Sequence, residues 1–257
     1  MDWRNIIAKN IALMLKDGDF VNLGVGVPML VGNYIPDDIT VILEGENGSA
    51  GLGRQLTFEG IYDDAETFER WENEHRGDQG DYRTGHKDMA NAGSNVSTLI
   101  EGACTFDVPT SFGILRGGHL DMTVLGALQV DEYANLANWV IPGRRVNGMG
   151  GSMDILAGTK NVTIAMQHEA KDGSAKILRE CTLPLTAVHC VTRVVTEKCI
   201  MEFIEGGEAA AHDRNGTKRG HYRVTAMYPG VSEEEVQSAC EAELEFVSRS
   251  EMKSMAE

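Results

Sequence analysis

The sequence predicts an α/β fold built on an open, mostly parallel sheet flanked by helices. Residues 3–17 place Ile7 and Ile11 at helical spacing, and this pattern stops at Gly18. The next segment, FVNLGVGVPMLVGNYI, has the pattern of a strand, a glycine turn and a helix, with Pro28 suited to the first helical position. DDITVIL then has the continuous, β-branched apolar character of a strand covered on both faces. The order strand, helix, strand favours parallel pairing.

Later segments repeat these patterns. SFGILRGG predicts a short helix that ends at Gly117, and HLDMTVLGAL predicts a second buried strand. VSEEEVQSACEAELEF predicts the start of another helix, with Ser232 as its N-cap. Further strands are expected at residues 136–143, 161–166, 182–186, 191–196, 199–206 and 221–228.

The chain is expected to form a single domain over residues 1–257, with residues 55–90 as a surface insertion or lid. DDAETFERWENEHRGDQGDYRTGHKD is crowded with charged residues and holds only scattered aromatic ones. Such a segment has too few apolar residues to build a core element.

The formal net charge of −16 argues against a nucleic-acid partner, because binding a polyphosphate depends on Lys and Arg. An anionic ligand therefore needs a local basic pocket. The sequence has neither an apolar run long enough to cross a membrane nor the pattern of a secretion signal, so a soluble, cytoplasmic protein is expected. The five cysteines are widely spaced, without a CxxC pair, and are expected to be reduced thiols. No metal site is expected.

Two glycine loops are candidate binding elements. Gly24 and Gly26 lie in NLGVGVP, between a predicted strand and a predicted helix, where backbone N–H groups can approach a phosphate or carboxylate. GMGGSMD, residues 148–154, could direct several N–H groups at one point, as an oxyanion hole requires. Either loop could equally be an ordinary turn.

Glutamates within LEGENGSAGLG raise a further possibility. A glutamate on a glycine-bounded loop after a parallel strand lies where open α/β sheets bind ligands, although Glu-Asn-Gly is also a common turn. Arg144 and Arg145 are the best local counter-charge for an anionic ligand, or else a solvated pair. Neither a Gly-x-Ser-x-Gly elbow nor a His-Glu-x-x-His pair is present, which disfavours serine hydrolases and metalloproteases.

Four segments together carry a family resemblance: ENG, GGHLDMTVLGALQVDEYANLANWVIPG, VNGMGGSMD and MQHEAKDGSAKILRECTLPLT. Together they resemble the β subunit of class I CoA-transferases of the 3-oxoacid and acetate or butyrate–acetoacetate type. This family is equivalent to the C-terminal half of the fused succinyl-CoA:3-oxoacid enzymes, and its fold is shared with sugar-phosphate isomerases of the NagB-like kind. The resemblance covers residues 3–53 and 91–205, whereas the segment after Gly53 is longer than the family pattern.

The resemblance implies roles for particular residues. Glu46 of the E-N-G motif corresponds to the covalent nucleophile, and Glu44 falls outside the motif. Asn47, Gly48, Gly150, Gly151 and Ser152 correspond to the active-site and oxyanion loops, although many relatives have alanine in place of Ser152. Gly24, Gly26, Arg144 and Arg145 are the candidates for contacts with CoA or substrate.

The resemblance also implies an activity, which is transfer of CoA from an acyl-CoA to a short-chain carboxylate through a glutamyl-CoA thioester, with ping-pong kinetics. It further implies an α-subunit partner in an αβ or α2β2 assembly, and no cofactor, since CoA is a substrate. Three alternatives stay open: a non-catalytic ligand-binding or sensor module, a ribose-phosphate-isomerase-like enzyme, and a CoA thioester hydrolase.

Overall fold

The structure is a computed structural model, and it describes residues 2–55, 90–94, 97–143, 148–207, 211–212 and 216–257. The proposed insertion therefore lies outside the described residues, except at its two ends. The described helices are α1 (Trp3–Ala12), a 3-10 helix (Val27–Asn33), α2 (Val108–Arg116), α3 (Ser152–Gly158) and α4 (Glu233–Ser238). Among them, none is both long and apolar enough to cross a membrane.

The described strands fall into an N-terminal and a C-terminal group. The first comprises β1 (Phe20–Leu23), β2 (Ile42–Gly45), β3 (Ser49–Gln55), β4 (Ser97–Thr105), β5 (Met122–Leu125), β6 (Gln129–Asp131) and β7 (Leu136–Ala137). The second comprises β8 (Val162–Ala165), β9 (Ile177–Leu178), β10 (Arg193–Val195), β11 (Cys199–Glu205), β12 (Gly220–Met227), β13 (Leu244–Phe246) and β14 (Lys253–Ser254).

Within the described residues, one large sheet has the strand order β13-β12-β11-β10-β8-β5-β1-β2-β3-β4, with β14 beside β12. Its centre, β10-β8-β5-β1-β2, is parallel throughout. Antiparallel pairs join β3 and β4 to one side and β11 and β12 to the other. A smaller sheet has the order β7-β6-β9. The predicted open, mostly parallel sheet is thus confirmed at its centre, with mixed strands at both sides.

Helices cover both faces of the parallel centre. Val21 of β1 belongs to the core cluster that contains Ile7 of α1. Its neighbour Phe20 packs instead against Leu115 of α2 and Ile155 of α3. Since successive residues of a strand face opposite sides, α1 lies on one face of the sheet and α2 and α3 lie on the other.

Two predicted helices are shorter than expected. The helix expected over residues 3–17 ends at Ala12, and Met14 and Leu15 continue only as tight turns through bonds to the carbonyls three residues before them. The segment expected to continue the helix after Ser232 leaves it at Ser238, and its end forms β13 alongside β12. The strand expected at residues 182–186 is absent from this described segment, and the one at 136–143 is reduced to β7.

Candidate active site

The E-N-G motif forms a tight turn directly after β2. The turn is closed by the Gly48 N–H, which donates to the Gly45 carbonyl at 2.8 Å. Gly48 has a φ of +112°, and a Cβ there would collide with the carbonyl oxygen of Phe106. The Phe106 N–H in turn donates to the Gly48 carbonyl at 2.9 Å. Only glycine fits this position, and the turn holds Glu46 at the carboxyl end of the strand.

The half-buried Glu46 carboxylate meets the second glycine loop. The Gly151 N–H donates a hydrogen bond to it. A Cβ on Gly151 would lie 2.9 Å from the carboxyl carbon of Glu46, and one on Gly150 would lie 3.8 Å from its Oε1. The two motifs that the sequence places about a hundred residues apart are therefore in direct contact, as the resemblance implies. Glycine at position 151 leaves the space that the carboxylate occupies.

The glycine loop is also the start of α3. Gly151 is the N-cap residue and Ser152 is the first residue of the helix. The Ser152 N–H donates to the Met149 carbonyl at 3.2 Å, and Ser152 lines the same cavity as Glu46. The helix is short, so its contribution to the site is the orientation of the Gly151 N–H toward the carboxylate.

Burial raises the pKa of Glu46 above its ordinary value. The hydrogen bond from the Gly151 N–H lowers this pKa, and the nearby charge of Asp154 raises it further. Asp154 is itself paired with Arg116 Nε at 2.7 Å, across the contact between α2 and α3. A more basic carboxylate is a stronger nucleophile, so the partly desolvated setting of Glu46 suits covalent chemistry.

A cavity of about 600 Å³ opens beside Glu46. Its walls include Glu46, Gly24, Gly126 and Gly151. Glu46, Gly24 and Gly126 directly follow β2, β1 and β5, and Gly151 belongs to the glycine loop before α3. The cavity therefore lies at the carboxyl edge of the parallel strands, where α/β sheets bind ligands. Gly24 therefore lines the cavity beside Glu46. Gly26, with a φ of +92°, is the N-cap of the 3-10 helix and is not part of the cavity wall.

Asn47 braces the turn and does not face the reacting group. Its Nδ2 donates to the carbonyl of Ala90 at 2.7 Å. The turn that carries Glu46 is thus tied to the residue at the far end of the segment 55–90. Arg144 and Arg145, predicted as counter-charges, lie outside the described residues.

The structure adds a polar network that sequence reasoning missed. Glu44 is 2% exposed. Its Oε2 accepts from Asn22 Nδ2 and its Oε1 from Ser111 Oγ, both at 2.8 Å. Thr123 Oγ1 donates to Asn22 Oδ1 at 3.1 Å. Asn22, Ser111 and Thr123 are distant from Glu44 in sequence, so no local pattern indicated this network.

Several known proteins have sequences similar to this chain. A family model described as coenzyme A transferase matches residues 83–237. The beta subunit of the acetate CoA-transferase of Escherichia coli (strain K12) is 48% identical over 206 residues, which cover 80% of this chain and 83% of the relative. One subunit of a probable succinyl-CoA:3-ketoacid coenzyme A transferase of Bacillus subtilis (strain 168) is 36% identical over 240 residues, covering 93% of this chain and 94% of the relative.

Among solved structures, an acyl-CoA transferase of Escherichia coli O157:H7 superposes with a TM-score of 0.63 at 19% identity. The match covers 99% of this chain but only 43% of that longer chain, and it shows the shared fold. With the family model and both close relatives in agreement, the predicted resemblance is confirmed: this chain belongs to the coenzyme A transferase family of enzymes.

Proposed function

We propose that this chain is the β subunit of an enzyme that moves CoA from an acyl-CoA to a short-chain carboxylate, namely acetate, butyrate, acetoacetate or succinate. The observation that carries the proposal is the position of Glu46. Its carboxylate lies at the wall of a cavity at the carboxyl edge of the sheet and accepts the Gly151 N–H.

The reaction begins with attack by a Glu46 oxygen on the thioester carbonyl carbon. The C–S bond breaks, CoA leaves as a thiolate, and a mixed anhydride joins the acyl group to Glu46. The thiolate then attacks the Glu46 carbonyl carbon, forming glutamyl-CoA and releasing the first carboxylate. A second carboxylate reverses both steps. Because the carboxylate is the reactive form, no general base is needed to activate it.

The Gly151 N–H suits the second step. When the thiolate attacks the glutamyl carbonyl, the negative charge develops on an oxygen of Glu46 itself. That oxygen is held where a backbone donor already points. Loss of one such donor costs about 2.7–4 kcal/mol of transition-state stabilisation in comparable sites. Gly150 and Ser152 complete this loop, and Gly48 and Asn47 hold the turn that presents the nucleophile.

Binding of CoA is assigned to groups around the cavity mouth. Gly24 lies in the cavity wall and Gly26 at the adjoining helix start. Arg144 and Arg145 are proposed to meet the anionic groups of CoA, since the chain as a whole is strongly acidic. The chemistry needs neither a metal nor a resident cofactor. A short-chain acyl group fits a cavity of about 600 Å³, with room for the adjoining pantetheine arm.

An α subunit is the proposed partner. The Escherichia coli relative is named as a beta subunit, and the match covers 83% of its length. The Bacillus subtilis relative is likewise named as one subunit of a transferase, and the match covers 94% of its length. We therefore assign the working enzyme to a hetero-oligomer, αβ or α2β2, in which the α subunit supplies the rest of the acyl and CoA pocket.

Trapping of the covalent intermediate tests the function. The assembled enzyme is incubated with acyl-CoA and then treated with borohydride or hydroxylamine, and loss of transferase activity is followed with and without the acyl-CoA. Inactivation that requires acyl-CoA is expected in the wild type, and intact mass should show a covalent modification that requires acyl-CoA in the wild type but not in Glu46→Gln. A sensor module or an isomerase gives no such inactivation. A thioester hydrolase consumes acyl-CoA without passing CoA to an added carboxylate.

A further inference from the structure

The second carboxyl group beside the nucleophile has no part in the chemistry above. Glu44 and Glu46 are two residues apart at the end of β2, and both belong to the wall of the cavity. Glu46 is half-buried, whereas Glu44 is 2% exposed. A carboxylate taken out of water requires strong compensation, and one beside a second carboxylate requires more.

Among the described residues, the hydrogen-bond partners of Glu44 are neutral donors. Asn22 on β1 and Ser111 on α2 donate one hydrogen bond to each oxygen. Thr123 on β5 reaches Glu44 only through Asn22. The charged group that acts on Glu44 is Glu46, whose repulsion adds to burial in raising the pKa of Glu44. Asn22 and Ser111 lower this pKa by bonding to the charged form.

The remaining charges near the pair act on Glu46. Asp154, on α3, faces Glu46 and is paired with Arg116 of α2. Within the part of the chain that the structure describes, Glu44 is thus balanced between two neutral hydrogen bonds and one like charge. The protonation of Glu44 therefore depends on whether Glu46 is charged.

We propose that Glu44 is a positioning residue whose repulsion of the free Glu46 carboxylate favours formation of the covalent intermediate. This inference rests on the proposed function. In the resting enzyme both carboxyl groups lie in the wall of the same cavity, and their mutual repulsion destabilises the state in which both are ionised. Conversion of Glu46 to glutamyl-CoA removes its charge and thus removes the repulsion. The released acid carries that charge into solvent, so the charges balance.

Linkage fixes the direction of the pH effect. Glu44 binds a proton more tightly while Glu46 is a free carboxylate than after Glu46 is converted into the thioester. Protons therefore favour the free enzyme, and by reciprocity the covalent intermediate becomes less favourable as the pH falls through the titration of Glu44. Above that range Glu44 is ionised and the relief of repulsion is complete. Below it Glu44 is neutral and there is no repulsion to relieve.

The test measures the equilibrium fraction of chain that carries CoA. The assembled enzyme is equilibrated with acetyl-CoA and acetate, or with butyryl-CoA and butyrate, at a fixed ratio between about pH 5 and about pH 9. The samples are quenched in acid and the intact mass is recorded. Glu44→Gln keeps the size and can satisfy both neighbours, but it carries no charge. Glu101→Gln makes the same change at an exposed position of β4 and serves as the control.

In the wild type and in Glu101→Gln, the covalent fraction is expected to fall as the pH falls. In Glu44→Gln the covalent fraction should match the wild type at low pH and rise less toward high pH, because only the titration of Glu46 itself remains. Ser111→Ala removes one donor to the charged form, so it should move the transition to higher pH without abolishing it. This variant keeps the test informative if Glu44→Gln fails to fold.

The two proposals fail separately. If the wild type forms the CoA adduct and Glu44→Gln shows the same pH dependence, Glu44 has no such role and the proposed function stands. An unshifted transition in Ser111→Ala contradicts the assignment of the titration to Glu44. If no adduct forms in the wild type with acetyl-, butyryl-, acetoacetyl- or succinyl-CoA, the proposed function itself is overturned, and this inference falls with it.

Discussion

Gly151→Ala is expected to separate folding from catalysis. The backbone of Gly151 has φ −80° and ψ −1°, which alanine adopts without strain. The added Cβ would overlap Oε2 of Glu46, its nearest neighbour, and lie 2.9 Å from the carboxyl carbon, so the carboxylate must move by about 1 Å to restore an ordinary contact. The end of a flexible side chain can make that shift with little effect on stability.

The same shift should be costly for the reaction. A misplacement of about 1 Å at a reacting centre costs about 100-fold, which corresponds to roughly 2.7 kcal/mol. The assay compares kcat/KM for CoA transfer and the melting temperature, with the α subunit present. Gly113→Ala in α2 is the matched control, because nothing lies within 4 Å of its added Cβ. A folded Gly151→Ala enzyme with wild-type kcat/KM would refute the contact between this loop and the nucleophile.

Three further changes have defined outcomes. The raised pKa of Glu44 means that the folded protein holds this proton more tightly than the unfolded chain, so the wild type loses stability as the pH rises from about 4.5 through the raised value. The melting temperature of Glu44→Gln relative to wild type should therefore be higher at about pH 8 than at about pH 5, and a pH-independent difference contradicts this. Asn47→Ala removes a hydrogen bond worth about 1 kcal/mol of stability, which should lower the melting temperature by about 2–4 °C. The loosened turn should also lower the transfer rate, and an unaltered rate excludes the bracing role. Burial raises the pKa of Cys190 to about 12, so a thiol reagent at neutral pH should modify the exposed Cys104 first, and equal labelling of the two argues against the described burial.

The central strands were predictable because their signal is local. The apolar run around Val41 and Leu43 is typical of a buried strand, and the structure buries both side chains in one core cluster. Ile42 between them faces the other side and is 37% exposed, so that face of β2 is only partly covered. The segment that forms β13 was not predictable from its local pattern. Leu244 and Phe246 lie in a segment with helical character, but they complete the edge of the sheet beside β12, because pairing with a distant strand outweighs local propensity.

The candidate site, too, was predictable only in part from the sequence. Spacing alone indicates that Glu46 follows a strand and that Gly151 precedes a helix, but only the family resemblance brings them together before the structure does. Glu44 was missed because a carboxylate in an apolar strand gains its partners from β1 and α2, which are distant in sequence. Tertiary neighbours of this kind leave no local pattern to detect.

Locating the covalent bond tests the role of Glu46 most directly. The assembled enzyme is incubated with acyl-CoA, quenched in acid and digested, and the peptide that contains Glu44 and Glu46 is sequenced by tandem mass spectrometry. We predict that the mass of CoA is attached to Glu46 and disappears when a second carboxylate is added. CoA on any other residue, or rapid transfer with an unmodified Glu46 throughout turnover, would contradict Glu46 as the nucleophile.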